Sequence, residues 1–125
     1  MKYLLLCCHE EKQFDSMSKS ESDALMEETV AYCEALKKSG HLLGVEALEP
    51  IQTAMSVRVR SGKLSVTDGP FAETKEQLGG FFLISARDLD EAIQVASKCP
   101  SVQFGTMEVR PVREFPGSSL PGEAL

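Results

Sequence analysis

Val66-Thr67-Asp68-Gly69-Pro70-Phe71-Ala72-Glu73-Thr74-Lys75-Glu76, closed by Leu78-Gly79-Gly80-Phe81-Phe82, separates two kinds of strand. Before it, Met55, Val57 and Val59 alternate with Ser56, Arg58 and Arg60, the period of a half-exposed strand. Ser61-Gly62 supplies a tight turn and Leu64 and Val66 alternate back, so 54–67 reads as a β-hairpin. Behind it, Gly80 to Ser85 is apolar on both faces, as a strand inside a sheet is. Between them lie an Asp-Gly-Pro turn and a charged loop.

Working outward, Lys2 to Cys8 reads as a buried strand and the polar stretch Glu10 to Ser20 as a loop. A helix follows from about Ser20 to Ser39, with Leu25, Met26, Val30, Cys33 and Leu36 as its packing stripe. Gly40 is placed to end it, since glycine enters the left-handed region at little cost. His41 to Leu48 is a second strand, with Leu43, Val45 and Ala47 on one face, and Pro50 stops it. Asp88, with Glu91 three residues on, starts a second helix in the manner of a capping box. Its inner face is Leu89, Ala92, Ile93 and Ala96; Pro100 ends it, and Thr106 to Val112 is a last strand.

The order is β-α-β, an inserted hairpin, then β-α-β. That is an α+β, ferredoxin-like βαββαβ arrangement with two helices on one face of an antiparallel sheet. Strands apolar on both sides need a second cover, so a homodimer closing two sheets into a dimeric α+β barrel is expected. Residues 1–113 form the domain. Residues 114–125, with Pro116, Gly117, Pro121 and Gly122, form a tail that is mobile or docked on the partner subunit.

At 125 residues the chain suffices for one domain, and 42% hydrophobic with 26% charged residues is ordinary for a globular protein. A formal charge of −6 without a basic stripe argues against direct nucleic-acid binding. The apolar start is too short to span a membrane, and His9-Glu10-Glu11 does not resemble a signal cleavage site. A cytoplasmic protein with reduced cysteines is the expectation. Cys7 and Cys8 point to opposite faces of a strand, and Cys33 and Cys99 occupy apolar helical positions.

The run from Val57 to Gly80 resembles the DGPF branch of the YCII-related (YciI-like) family. The flanks agree: Leu48-Glu49-Pro50, Asp88-Leu89-Asp90-Glu91-Ala92 and Glu108-Val109-Arg110-Pro111. The likeness covers about residues 2–113 and implies a dimeric α+β barrel. Some members of that family are fused to, or encoded beside, extracytoplasmic-function sigma factors, which implies a functional link of that kind. A distant branch includes a dehydrochlorinase. The enzymatic branch is suspected of pairing a histidine in its first helix with an aspartate after its second strand. Here the helix over 20–39 has no histidine and Glu49 follows the strand, so that pair does not carry over.

Asp68 is the first candidate catalytic residue: a carboxylate at a rigid turn can act as a general base, or can bond only its own turn. Glu73 can pair with it, each carboxylate raising the other's pKa. Thr74 and Lys75 can hold an anionic group, and Gly79 and Gly80 allow close backbone approach to a ligand or relieve a bulge. Arg58, with Arg60, can grip a carboxylate or form a surface ion pair. His9 follows the first strand, where this fold opens its cleft, with a pKa suited to proton transfer. His41 is read as structural or exposed. Cys7-Cys8-His9-Glu10 lacks the spacing of a tetrahedral set, so no metal and no cofactor are expected. Two classes of function fit these residues. One is a small-molecule-binding or interaction module with a polar cleft. The other is a lyase- or isomerase-type enzyme using Asp68 for proton transfer on a small organic substrate.

Overall fold

The computed structural model describes residues 1–116 and 120–121. Four strands form one sheet: β1 (Lys2–His9), β2 (Leu42–Ala47), β5 (Gln77–Ser85) and β6 (Thr106–Pro111). Their order is β2-β5-β1-β6 and every neighbouring pair is antiparallel. Helices α2 (Lys19–Lys38) and α3 (Leu89–Ser97) make the crossovers. The hairpin β3 (Met55–Arg60) and β4 (Lys63–Asp68) forms a separate two-stranded sheet. This is the expected ferredoxin-like α+β arrangement with an inserted hairpin. The expectation for the tail at 114–125 falls partly on residues 117–119 and 122–125, outside the described ones.

Sequence chemistry explains the element ends. Ser18 caps α2 by accepting the Glu21 N–H at 3.2 Å, while the Glu21 carboxylate accepts the Ser18 N–H at 3.1 Å. Gly40 ends the helix with φ +81°, in the left-handed region glycine tolerates. Asp88 caps α3 by accepting the Glu91 N–H at 2.9 Å, but Glu91 reaches back to the Arg87 N–H at 3.0 Å rather than to Asp88. Ser61 and Gly62, at φ 52° and 74°, form the two-residue turn whose twist suits a hairpin.

The core lies between the helices and one sheet face. It contains Tyr3, Leu5, Phe82 and Ile84 from the sheet, Tyr32 and Leu36 from α2, and Ala92, Val95 and Ala96 from α3. The expected stripe on α2 is rotated: Met26 and Val30 are exposed, and Leu25, Thr29, Tyr32, Cys33 and Leu36 face inward. Two polar groups become tolerable there because each hydroxyl finds a backbone carbonyl. The Thr29 hydroxyl donates to the Leu25 carbonyl at 2.8 Å, and the buried Tyr32 hydroxyl donates to the Val95 carbonyl at 2.7 Å. The inner face of α3 is likewise turned to bury Val95 and expose Leu89 and Ile93, which lets the small Ala92 and Ala96 approach the sheet.

Three further expectations are corrected. The stretch after β1 is not all loop: α1 (Glu11–Asp15) forms a short helix whose Phe14 ring stands 4.0 Å from the His9 ring. A register shift between Leu42 and Gly44 puts Leu42, not Leu43, against the core. The hairpin is exposed on both faces, with Val57 and Val59 open to solvent, because nothing among the described residues covers its apolar side.

Candidate functional site

Side-chain alternation in β1 sends Tyr3, Leu5 and Cys7 to the helix side and Leu4, Leu6 and Cys8 to the open side. A bulge then alters β5. Cys7 pairs with Gly80 and Cys8 with Leu78, leaving Gly79 as the extra residue. The bulge turns Leu78 onto the open face and brings the Gly79 backbone under His9. A Cβ at position 79 would collide with the imidazole ring, and one at position 80 would sit 2.7 Å from the Glu46 carbonyl oxygen. The double glycine thus makes room for a histidine and a neighbouring strand.

Above these glycines, between the sheet and the first half of α2, is a cavity of about 270 Å³. Its walls come from Leu25, Met26 and Thr29 of α2 and from Val45, Ala47 and Phe82 of the sheet. Phe14 and His9 close one end; Cys7, Cys99 and Ser101 border it at the sheet and at the corner after α3. The lining is mostly apolar. Burial lowers the His9 pKa from its ordinary 6.5, with Glu11 and Glu76 pulling weakly the other way. His9 is therefore neutral at pH 7, with a lone pair on one ring nitrogen and a proton on the other.

The two thiols of this cavity border it from the first strand and from the corner after α3. Cys99 Sγ lies 3.2 Å from the Ser101 hydroxyl, and Cys7 Sγ lies 3.5 Å from Met107 Sδ. The neighbouring Cys7 thiol, helped by Ser101, lowers the pKa of Cys99, while the Cys99 thiol and burial raise that of Cys7. All four cysteines are free thiols.

The charged loop builds a different neighbourhood. Gly69, at φ +95°, donates to the Ala54 carbonyl at 2.7 Å, and Ser56 bonds the Gly69 carbonyl at 2.7 Å, fixing the turn to the hairpin base. Gln77 donates to the Thr74 carbonyl at 2.7 Å and accepts the Glu11 N–H at 3.0 Å; Glu11 in turn accepts the Ile51 N–H at 3.0 Å. Thr74 and Lys75 line a depression of about 340 Å³ with Glu10, Glu11 and Lys12. Glu73 and Thr74 line another, of about 600 Å³, with Cys8, Phe71 and Leu78 on the open side of the sheet.

The candidate residues are thus dispersed. Asp68 is exposed, opposite Met55 in the hairpin, and borders none of these cavities. Arg58 is exposed opposite Ser65. Glu73, Thr74 and Lys75 border the loop depressions; His9, Gly79 and Gly80 border the apolar cavity. His41 ties elements together: its Nδ1 lies 2.6 Å from the Ser39 hydroxyl and its Nε2 lies 3.2 Å from Glu91. Sequence reasoning missed Phe14, Thr29 and the shared place of Cys7 and Cys99. The two residues are 92 positions apart, and no local spacing announces that they border one cavity.

A ferredoxin-like α+β domain with a helix-covered apolar cavity is the class that this fold and geometry define. The comparisons are narrower: the model of the YCII-related domain matches residues 1–116, and the chain belongs to that family. A protein of Rhizobium meliloti (strain 1021), described as uncharacterised, is similar, with 37% identity over 123 residues, 97% of this chain and 99% of the relative. No helix among the described residues is long and apolar enough to cross a membrane.

Proposed function

We propose that this protein binds a small, largely apolar molecule in the cavity under α2, with His9 as the polar handle that orients it. The observation that carries the reading is a cavity of about 270 Å³ with apolar walls and a neutral imidazole at one end. This differs from the polar cleft anticipated beside Asp68. A bound molecule with one hydroxyl or carbonyl satisfies the imidazole while its apolar remainder displaces water. Proton transfer is the second reading, favoured by the same neutral imidazole; it assigns the base to His9 rather than to the exposed Asp68. We also propose a homodimer formed through the open face of the sheet, where Leu4, Leu6, Phe81 and Leu83 are only half-buried.

A thermal-shift screen of small apolar metabolites tests the reading, on the wild type, Ser22→Trp and Asp68→Asn. Ser22 is exposed at the cavity rim, so an indole there closes the mouth without disturbing the core. Stabilisation that persists in Asp68→Asn and disappears in Ser22→Trp is the expected result. Hits that instead survive in Ser22→Trp and vanish in Asp68→Asn would move the site to the loop.

A further inference from the structure

The hairpin β3–β4 has two unlike faces. Val57 stands opposite Val66 and Val59 opposite Leu64, so these four side chains, with Met55, share one face. Arg58, opposite Ser65, and Arg60, opposite Lys63, occupy the other. The five apolar residues are each between 52% and 69% exposed. Monomeric proteins rarely leave so continuous an apolar strip bare, and a two-stranded hairpin without cover is marginally stable in water. Its own chain does not supply the cover. The Gly69 N–H donates to the Ala54 carbonyl at 2.7 Å and the Ser56 hydroxyl to the Gly69 carbonyl at 2.7 Å. These bonds fix the hairpin base in a position that leaves the apolar face open among the described residues.

We propose that this face is a contact between two copies of the chain, the apolar face of one hairpin laid on the same face of the other. Symmetry, charge and area all point to a second copy as the occupant. A strip of valine, leucine and methionine side chains, with no charge before Asp68 at its base, matches itself about a two-fold axis. Hairpins stacked in this way lie about 10 Å apart. Arg58, Arg60 and Lys63 of each copy then project outward, separated by more than a Debye length of about 8 Å. With the basic faces turned inward the same hairpins would repel. At these exposures each apolar side chain removes on the order of 100 Å² from water, and the ten of two hairpins on the order of 1,000 Å². A stable interface needs about 1,200–2,000 Å² in total, so the hairpins do not hold two chains together alone. They add to the sheet-to-sheet contact of the homodimer proposed above, on which the inference rests for its partner. The two contacts are continuous, because Pro70 and Phe71, next to the hairpin base, border the depression of Cys8 and Leu78 on the open side of the sheet. The sheet contact occupies the partner's open face and leaves the partner's hairpin free to meet its counterpart.

Sedimentation equilibrium on the full chain compares the wild type with two double variants, Val57→Lys with Val66→Lys and Val57→Glu with Val66→Glu. Both positions are exposed in the single chain, so each variant should keep the wild-type circular dichroism spectrum. Like charges face to face are expected to raise the dimer dissociation constant of either variant by about tenfold or more. An equimolar mixture of the two should return to the wild-type value, because the lysines of one hairpin then meet the glutamates of the other. Weakening without recovery on mixing would place the hairpin on a different surface and overturn the proposal. Variants that dimerise as the wild type does, or a wild type that stays monomeric, overturn it as well. Phe81→Lys scores the sheet contact separately. A dimer lost with Phe81→Lys but indifferent to the hairpin charges overturns the hairpin contact alone; one that survives Phe81→Lys but obeys those charges overturns the sheet contact alone. Hydrogen exchange on the wild type decides even where a variant fails to fold. Deuterium uptake over residues 55–68 should slow about tenfold as rising concentration turns monomer into dimer, and uptake that ignores concentration overturns the contact.

Discussion

At the scale of single residues, Gly79 and His9 are one unit, because the ring occupies the space a β-carbon at position 79 would need. Gly79→Ala therefore forces the imidazole off Phe14 or distorts the bulge. It is expected to cost about 1–3 kcal/mol, the usual range for overpacking, measurable by urea denaturation. His9 also gives stability a pH dependence. Its folded pKa is below the ordinary 6.5, so between the two values the unfolded chain binds more protons. The His9 contribution is complete above 6.5 and falls away as the pH drops through the folded pKa. Denaturation between pH 7.5 and 5 should show His9→Gln losing less stability on acidification than the wild type. Equal losses would mean that the imidazole is not desolvated. Of the candidate residues, His9 was legible because it follows a strand that must be buried. The meeting of Cys7 and Cys99 at one cavity was not, since only the folded register brings β1 to the corner after α3.

At the scale of elements, the boundaries were written in caps and glycines, while the rotation of each helix was not. Ser18, Gly40, Asp88 and Pro100 mark ends through bonds local to the chain, which sequence displays. Helix rotation depends on which polar group finds a partner across the core. Hydropathy favours Val30 over Tyr32 as a core residue, yet the Tyr32 hydroxyl reaches the Val95 carbonyl and its ring packs edge-on against Phe82 at 5.4 Å. That bond fastens α2 to α3. Tyr32→Phe keeps the ring and leaves the Val95 carbonyl with the Lys98 N–H at 3.3 Å as its remaining donor, so a loss of about 1 kcal/mol is expected. A cost near zero in equilibrium unfolding would show that water replaces the hydroxyl. Asp88→Ala, which removes the α3 cap and an exposed pairing with Arg87 at 3.5 Å, should cost about 1 kcal/mol by the same measurement.

At the scale of the whole molecule, the chain exposes more surface than its mass calls for. A compact monomer of 13.7 kDa exposes about 6,600 Å², and this chain exposes 9137 Å². One source is the hairpin, whose Met55, Val57, Val59, Leu64 and Val66 are all more than half exposed. Another is the open sheet face. A stable interface buries about 1,200–2,000 Å² in total, which the excess on two chains readily supplies. Joining two open faces leaves the helix-side cavity free and places the Cys8–Leu78 depression near the seam. The dimer is thus expected to cover the Glu73 loop without sealing off His9 or Cys99. Light scattering at micromolar concentration should give twice 13.7 kDa for the wild type. Phe81→Lys, which sets a charge at the middle of that face while sparing the core, should give the monomer mass with an unchanged circular dichroism spectrum. A wild type that scatters as a monomer would remove the second cover from the sheet. The apolar outward residues of β1 and β5 would then need a different partner.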